Sequence, residues 1–405
     1  MKLDLAVLFP ALAVATWLGV PLYAALARGR FYAIFSAVLL SVALPGALVL
    51  HSRLRAALPA EWVFAIDAVF AWSMLVSGLQ FAHLVRARMR SSAFRWLVSV
   101  PGQTFIAAGM LAGPWLIVFV PFRMLCEALD WTNALAALTF VEAMPLAVAL
   151  ASVSTSTAAR PETVRIRLAR EGPKAFARVS VERIRGAVAE HDSLASAARS
   201  ARDPSRPTNP RDRGRPLRVV QLTDTHLGPW QSVSRLRRRV ASLVERNPDL
   251  IALTGDYLTM ESMGSPGCLA HGLAPLAPVA NRCVAIFGNH DHEAPEHVRD
   301  ALTELGITLL VDGEACFETA AGAVQVIGSD YLSQDHAKRL AALLERHPRR
   351  EGHLRRRVLR AGCRHGRARK NGVALVDDGN QQSTLARRLS ERRLDKRRDD
   401  ERQRE

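Results

Sequence analysis

The chain has 405 residues, of which 49% are hydrophobic, and a formal net charge of +16 at pH 7. Its five cysteines are scattered without a C-x-x-C pair, which argues against a disulfide scaffold and a thiolate zinc site. Roughly ten units of this net charge lie in the last ~57 residues, so the charge does not mark the whole protein as a nucleic-acid-binding domain.

The first 155 residues are dominated by long apolar runs, whereas the rest of the chain is polar and rich in arginine. Five runs approach the ~20 apolar residues that a bilayer core requires. They are residues 5–27, 31–50, 62–85, 97–120 and 133–153. We therefore predict an N-terminal α-helical transmembrane bundle over residues 1–155, in a multi-pass membrane protein.

The fifth run contains Glu142 and Pro145. A carboxylate inside a membrane span suggests a functional site, but a side chain that faces the bundle interior, or an interfacial helix, explains Glu142 equally well.

Lysines and arginines of the short loops indicate the orientation. One side carries Arg28, Arg30, Arg86, Arg88, Arg90 and Arg95, and the other carries Lys2, Arg53, Arg55 and Arg123. With five spans this bias predicts a cytoplasmic soluble domain, and one span more or fewer would reverse it.

Residues 156–216 separate the apolar block from the soluble domain. Residues 163–168 alternate apolar and basic side chains, which is typical of an edge strand. Residues 193–216 contain four prolines among Ser, Ala, Arg and Asp, and this composition indicates a flexible linker. From Leu217 onward, strand and helix patterns alternate, which predicts a layered α/β domain.

Three apolar strand patterns of this domain end in polar motifs. The first ends in D-x-H, the second in G-D and the third in G-N-H-D. The motif residues are Asp224, His226, Asp256, Asn289, His290 and Asp291. Because an open α/β sheet gathers its ligand site at the carboxyl ends of its strands, we expect these side chains to meet.

Carboxylates, imidazoles and amide oxygens in such a set are the ligands of divalent ions that hydrolyse phosphate esters. Two neighbouring ions need carboxylates to offset their charge, and one carboxylate must lie between the ions. Asp256 follows a glycine where strand gives way to loop, so it can bridge both ions. His290 is suited to donate a proton to the leaving oxygen, and Asp291 could orient that imidazole. The alternative is that the acidic and amide residues only form turns.

The combination of D-x-H, G-D and G-N-H-D resembles the calcineurin-like metallophosphoesterase family over residues 217 to about 330. The hydrophobic N-terminal block resembles the membrane-anchored bacterial branch of that family, which implies a multi-pass protein of the bacterial inner (cell) membrane. The resemblance implies an αββα sandwich-type domain with two divalent metal ions (Mn, Fe or Zn). It also implies that Asp224 and His226 bind one ion, Asp256 bridges, and Asn289 binds the other. His290 would then assist the leaving group.

The family's G-H-x-H motif does not occur in the chain, so the domain, assigned to residues 217–347, is expected to be incomplete. Residues 348–405 are basic with almost no apolar periodicity, and we expect a disordered tail. Our hypothesis is that this tail is translated out of frame or otherwise replaces the original C-terminus. The frameshift version of this hypothesis requires a G-H-x-H sequence in another reading frame after codon ~347.

Three functions follow. The first is a membrane-anchored, metal-dependent hydrolase of phosphate mono- or diesters, with a lipid-linked or nucleotide substrate. The second is a catalytically impaired membrane protein with an incomplete metal site. The third is a membrane protein that binds nucleic acid through its tail or anionic lipid through Arg235 and Arg237–Arg239. The tail lacks interleaved aromatic residues for base stacking, which argues against nucleic acid.

Overall fold

The computed structural model describes residues 5–157, 163–169, 178–184, 217–331, 336–348, 355–360 and 372–375. The chain divides into two compact units. The helical unit consists of Met1–Ala159 together with two later segments, His226–Leu236 and Leu258–Leu269. The α/β unit consists of Arg160–Thr225, Arg237–Tyr257 and Ala270–Glu405.

Long apolar helices form the N-terminal region, as the sequence predicts. They are α1 (Leu5–Ala27), α2 (Arg30–Ala57), α3 (Ala60–Val85), α4 (Ser92–Ala128), α5 (Thr132–Glu142) and α6 (Met144–Thr157). In the part of the chain that the structure describes, five helical stretches are long and apolar enough to cross a bilayer, with α5 and α6 together forming the fifth.

The helices bury one apolar face against each other and expose another. Phe9, Leu40, Met74 and Phe105 belong to the shared core. Large apolar side chains on the outer faces remain exposed, among them Leu22, Phe31, Ile117 and Leu150. Water would penalise so many exposed apolar groups, whereas lipid tails would not. The pattern therefore agrees with helices that face lipid.

The fifth apolar stretch is interrupted at Ala143, between α5 and α6. Pro145 lies in the first turn of α6, where a missing N–H costs little. Glu142 is fully buried and pairs with Arg53 and, at 2.9 Å, with Arg123. These contacts agree with the interpretation that Glu142 faces the bundle interior, because ion pairing offsets the cost of burying a carboxylate.

A parallel four-stranded sheet organises the α/β unit. Its strands are β3 (Val219–Leu222), β4 (Leu250–Leu253), β5 (Cys283–Ala285) and β6 (Thr308–Leu309). They pair in this order, all parallel. The strands β4 and β5 are buried throughout, as expected of central parallel strands covered on both faces.

The strands of a second sheet are β7 (Gly313–Thr319), β8 (Gly322–Ser329), β9 (Arg355–Arg360) and β10 (Gly372–Leu375). They pair in the order β10-β9-β8-β7. The strands β9 and β10 lie inside residues 348–405, for which the sequence predicts a basic, disordered tail. They pair with the neighbouring strands through backbone hydrogen bonds, which do not depend on apolar periodicity.

The two sheets share an apolar core to which β4 contributes Leu250 and Ala252, and β8 contributes Val324 and Val326. The next residue of β8, Ile327, points to the opposite face and packs on Leu343 and Leu344. The later helices of the chain are α7 (Val233–Val244), α8 (Met260–Met263), α9 (Cys268–Leu273), α10 (Pro295–Glu304) and α11 (His336–Arg346). Of these, α8 and the first residues of α7 and α9 belong to the helical unit, and the rest belong to the α/β unit. This is a layered α/β domain with a parallel sheet, as predicted.

The predicted edge strand at 163–168 is β1 (Thr163–Ala169), which pairs in antiparallel register with β2 (Arg178–Ile184). The predicted linker, 193–216, lies outside the described residues.

Candidate metal centre

Three neighbouring parallel strands end at one edge of the first sheet. Asp224 follows the end of β3 by two residues, Asp256 follows β4 by three, and Asn289 follows β5 by four. The main chain keeps the first two loops together, because Asp224 N donates to Gly255 O at 3.1 Å. The sheet therefore delivers polar residues from separate parts of the sequence to one place.

Asp224, His226 and Asp256 each offer one metal-ligating atom, and these atoms lie within 4.8 Å of one another. Asp256 is buried, His226 is partly buried and Asp224 is exposed, so the group opens to solvent on one side. Two carboxylates and an imidazole are a donor set that suits Mn, Fe or Zn. The residues present thus fit a divalent ion.

All three of these residues have left-handed backbone conformations. The φ angles are 51° at Asp224, 39° at His226 and 56° at Asp256. For residues other than glycine, such conformations cost about 1–3 kcal/mol each and persist only where the surrounding structure holds them. The loops therefore carry strain at the residues that would bind an ion.

The glycines of G-D and G-N-H-D allow the second and third loops to touch. Gly255 has a φ of 84°, and a Cβ atom there would lie 2.2 Å from Gly288 N. A Cβ atom on Gly288 would lie 2.2 Å from Oδ1 of Asp256. Neither position has room for a side chain, which explains why both motifs contain glycine.

Asn289 and His290 follow Gly288 directly in the chain. With its nitrogen toward Asp256, the Asn289 amide donates to Asp256 Oδ2 at 3.3 Å, and its oxygen accepts from His290 N at 3.2 Å. His290 N also donates to Asp256 Oδ1 at 3.1 Å. The His290 side chain is 43% exposed, and Nδ1 lies 3.3 Å from Glu293 Oε1. The structure thus brings Asn289 and His290 beside Asp256.

Asp291 has contacts other than those expected for an imidazole-orienting residue. Its carboxylate is fully buried and accepts main-chain N–H bonds from Gly288 (2.8 Å), Asp256 (2.8 Å) and Tyr257 (2.9 Å). Burial raises the pKa of Asp291, and the nearby Asp256 charge adds to the rise, while the main-chain donors oppose it. These contacts make Asp291 a clamp between two loops, and the role in orienting the His290 imidazole stays a prediction.

Sequence reasoning missed two polar contacts near these loops. His292 lies with Nε2 at 3.0 Å from Asp330 Oδ1. Tyr257 is fully buried, and its hydroxyl donates to Ile286 O at 2.9 Å. The tyrosine beside Asp256 could have been found as an aromatic residue within a motif loop, but no sequence pattern pairs His292 with Asp330.

Residues 217–340 match the family model of the calcineurin-like phosphoesterases. This part of the chain is a calcineurin-like phosphoesterase domain. The match includes the three loops described above and confirms the resemblance inferred from D-x-H, G-D and G-N-H-D.

Relatives of the phosphoesterase domain are similar over the same part of the chain. Phosphodiesterase YaeI of Escherichia coli K12 is 29% identical over 126 residues, which cover 30% of this chain and 46% of that protein. UDP-2,3-diacylglucosamine pyrophosphatase LpxG of Chlamydia trachomatis is 36% identical over 80 residues, or 19% of this chain and 23% of that protein.

A third relative combines the domain with membrane spans. The transmembrane protein with metallophosphoesterase domain of Danio rerio is 38% identical over 76 residues, covering 19% of this chain and 17% of that protein. The chain thus spans less than half the length of each of these relatives.

Proposed function

We propose that this protein is a membrane-anchored hydrolase of phosphate mono- or diesters that acts through two divalent metal ions, Mn, Fe or Zn. One observation carries the proposal. Within a calcineurin-like phosphoesterase domain, ligand atoms of Asp224, His226 and Asp256 lie within 4.8 Å of one another at the strand ends.

Each residue has a distinct role in this proposal. Asp224 and His226 would hold one ion, Asp256 would bridge, and Asn289, whose amide lies beside Asp256, would complete the second ion's ligands. When bound, the ions would screen the phosphate charge and activate a water for attack. His290 would donate a proton to the leaving oxygen, and the contact between its Nδ1 and Glu293 would orient the ring. Asp291 would keep the loops of Asp256 and Asn289 together.

The substrate class follows from the membrane helices and from the relatives. A domain attached to apolar helices stays near lipid head groups, and the LpxG relative is named for a diacylated sugar nucleotide. We therefore favour a phosphate ester carried by a lipid, with a soluble nucleotide as the other candidate.

The test uses the full-length protein in lipid nanodiscs with added Mn²⁺. Hydrolysis of bis(4-nitrophenyl) phosphate and 4-nitrophenyl phosphate is measured for the parent and for Asp256→Ala. Loss of a residue behind a ligand typically costs 10–100-fold, so loss of the bridging ligand itself should lower turnover by at least about a hundredfold. Asp300→Ala, an exposed carboxylate on α10, is the matched control and should leave turnover unchanged. Equal turnover of the parent and Asp256→Ala would contradict the proposal.

A second candidate function is a catalytically impaired membrane protein. The observation that favours it is that the sequence contains no G-H-x-H motif, so the chain has fewer metal ligands than the family pattern requires. A metal content below one ion per chain, together with no turnover of either aryl phosphate, would support this candidate over the hydrolase.

A further inference from the structure

Two segments that adjoin the candidate ligands belong to the helical unit. The first, His226–Leu236, begins with a candidate ligand, and the second, Leu258–Leu269, begins two residues after Asp256. We call them segment A and segment B. Both contain side chains that bond directly to the long apolar helices.

Segment A is attached through Trp230. Its indole Nε1 donates to Gln103 Oε1 on α4 at 2.7 Å, and both side chains are partly buried. Arg235 of the same segment donates to the Trp230 carbonyl at 2.9 Å. The tryptophan is thus fixed from both its side chain and its main chain.

Segment B is attached at three points. Glu261 Oε1 accepts from Gln80 Nε2 on α3 at 2.9 Å, and both residues are buried. Ser265 Oγ accepts from Met89 N at 2.7 Å. Met260 packs beside the cluster of Ala24, Tyr32 and Val85. Because a buried polar pair is costly to break, Gln80 and Glu261 hold segment B in a defined position.

The two segments also bind each other. Leu227 and Leu258 form a parallel bridge, and Thr259 Oγ1 donates to the Leu227 carbonyl. Segments A and B therefore form one connected structure on the helices. Segment A begins at His226, and segment B begins two residues after Asp256.

We propose that Gln103 and Gln80 of the membrane helices are positioning residues for the metal site, because they hold the segments that follow His226 and Asp256. The inference rests on the proposed function, since it assumes that these residues bind an ion. Its physical reason is the left-handed backbone of the ligand residues, which persists only where neighbouring structure enforces it. Segments A and B supply that support, because they are fixed on the helices and begin at His226 and two residues after Asp256.

A double-mutant cycle on Trp230 and Gln103 tests the proposal. Trp230→Phe removes the donor and keeps an aromatic ring, Gln103→Leu removes the acceptor at similar size, and the third variant combines both. Mn²⁺ affinity of the full-length protein in nanodiscs is measured by electron paramagnetic resonance titration. We expect each single change to weaken Mn²⁺ binding by about three- to tenfold, as the loss of one hydrogen bond would. The double variant should bind no more weakly than the poorer single variant.

Hydrogen exchange of the metal-free protein provides a readout that does not depend on the ion. Trp230→Phe and Gln103→Leu should speed amide exchange in segment A, and Gln80→Leu should do so in segment B. Trp17→Phe and Ser41→Ala are matched controls, because Trp17 Nε1 donates to Ser41 Oγ at 2.8 Å between α1 and α2, outside both segments. These controls should change neither Mn²⁺ affinity nor exchange in the segments.

The outcomes separate this inference from the proposed function. If Asp256→Ala abolishes Mn²⁺ binding while the Trp230 and Gln103 variants leave affinity and exchange unchanged, the metal site stands and the positioning role is refuted. If the parent binds no Mn²⁺, the proposed function fails. Exchange in the metal-free protein then decides whether the helices hold the segments. Effects in the Trp17 control as large as in Trp230→Phe would also overturn the positioning role.

Discussion

Glu261 is a carboxyl group that the fold keeps out of water. It is 5% exposed, and the Gln80 amide is its hydrogen-bond donor. Burial raises the pKa of Glu261, while the Gln80 bond and the charge of Arg90 partly oppose the rise. The native protein therefore binds this proton more tightly than the unfolded chain. The resulting stability is present below the unfolded pKa and is lost as pH rises through the raised native pKa.

Glu261→Gln should therefore stabilise the protein at pH 8, because ionising this carboxyl costs more free energy in the native protein than in the unfolded chain. The gain should shrink as pH falls toward 4, where the parent carboxyl is protonated and nearly isosteric with the amide. Thermal unfolding in nanodiscs across this pH range measures the difference. Glu304→Gln, an exposed position at the end of α10, should have little effect at any pH. A gain for Glu261→Gln that did not vary with pH would contradict the role of burial.

At the scale of elements, one side chain connects the loops that follow β4 and β5. The Asp291 carboxylate accepts from Asp256 N and Tyr257 N of one loop and from Gly288 N of the other. Hydrogen bonds to an ionised acceptor are stronger than neutral ones. The positions of Asp256 and Asn289 relative to each other thus depend on this buried carboxylate.

Asp291→Asn should loosen both loops. The amide keeps one acceptor oxygen, but its NH₂ group faces main-chain donors, so at least one buried N–H loses its partner. We expect the free energy of unfolding to fall by about 1–3 kcal/mol and Mn²⁺ affinity to fall with it. Thermal unfolding and Mn²⁺ titration measure the two effects. Asp300→Asn, exposed on α10, is the control. An Asp291→Asn protein with parental unfolding temperature and affinity would show that the clamp is dispensable.

The elements that the sequence predicts well are those with strong apolar patterns. The apolar spacing of residues 234–246 predicts a helix, and the structure has the helix Val233–Val244 there. The apolar run at 324–327 predicts a strand, and it is the centre of Gly322–Ser329. The strand Gly313–Thr319 was missed because Phe317 is its one large apolar residue on the core face. Arg355–Arg360 was also missed, since its arginines give no alternation and its order comes from pairing with β8.

The candidate site was predictable to the extent that residue types at strand ends carry it. Asp224, His226 and Asp256 could be grouped because parallel strands deliver their ends to one edge. The partners of Asp291 could not be predicted, because they are main-chain groups that approach only after the loops fold. The hydrogen bond between the Trp230 and Gln103 side chains could not be predicted either, because these residues lie 127 residues apart in sequence.

At the scale of the whole molecule, arginines gather where α1 meets α2 and where α3 meets α4. Arg28 donates to the Leu84 carbonyl and lies over the Tyr32 ring, with its guanidinium carbon 4.7 Å from the ring centroid. Arg86 and Arg88 are exposed. Basic loops stay preferentially on the cytoplasmic side. Five stretches among the described residues can cross a bilayer, so the last one ends on the same side as these loops. We therefore propose that the phosphoesterase domain is cytoplasmic.

The exposed Cys316 of β7 offers a direct test of this orientation. In a protein with Cys126 and Cys363 replaced by serine, a membrane-impermeant maleimide should label Cys316 in inverted vesicles and not in right-side-out vesicles. Asp130→Cys in a protein that also lacks Cys316 is the reciprocal control. Asp130 follows α4, and α4 begins just after the arginine-rich loop. One crossing therefore separates Asp130 from that loop. Labelling of Asp130→Cys should occur only in right-side-out vesicles. Labelling of Cys316 in right-side-out vesicles would reverse the orientation. With five crossings, the fifth stretch lies between Asp130 and Cys316 in the chain and places them on opposite sides. Labelling of both positions on one side would therefore mean that the number of crossings is not five.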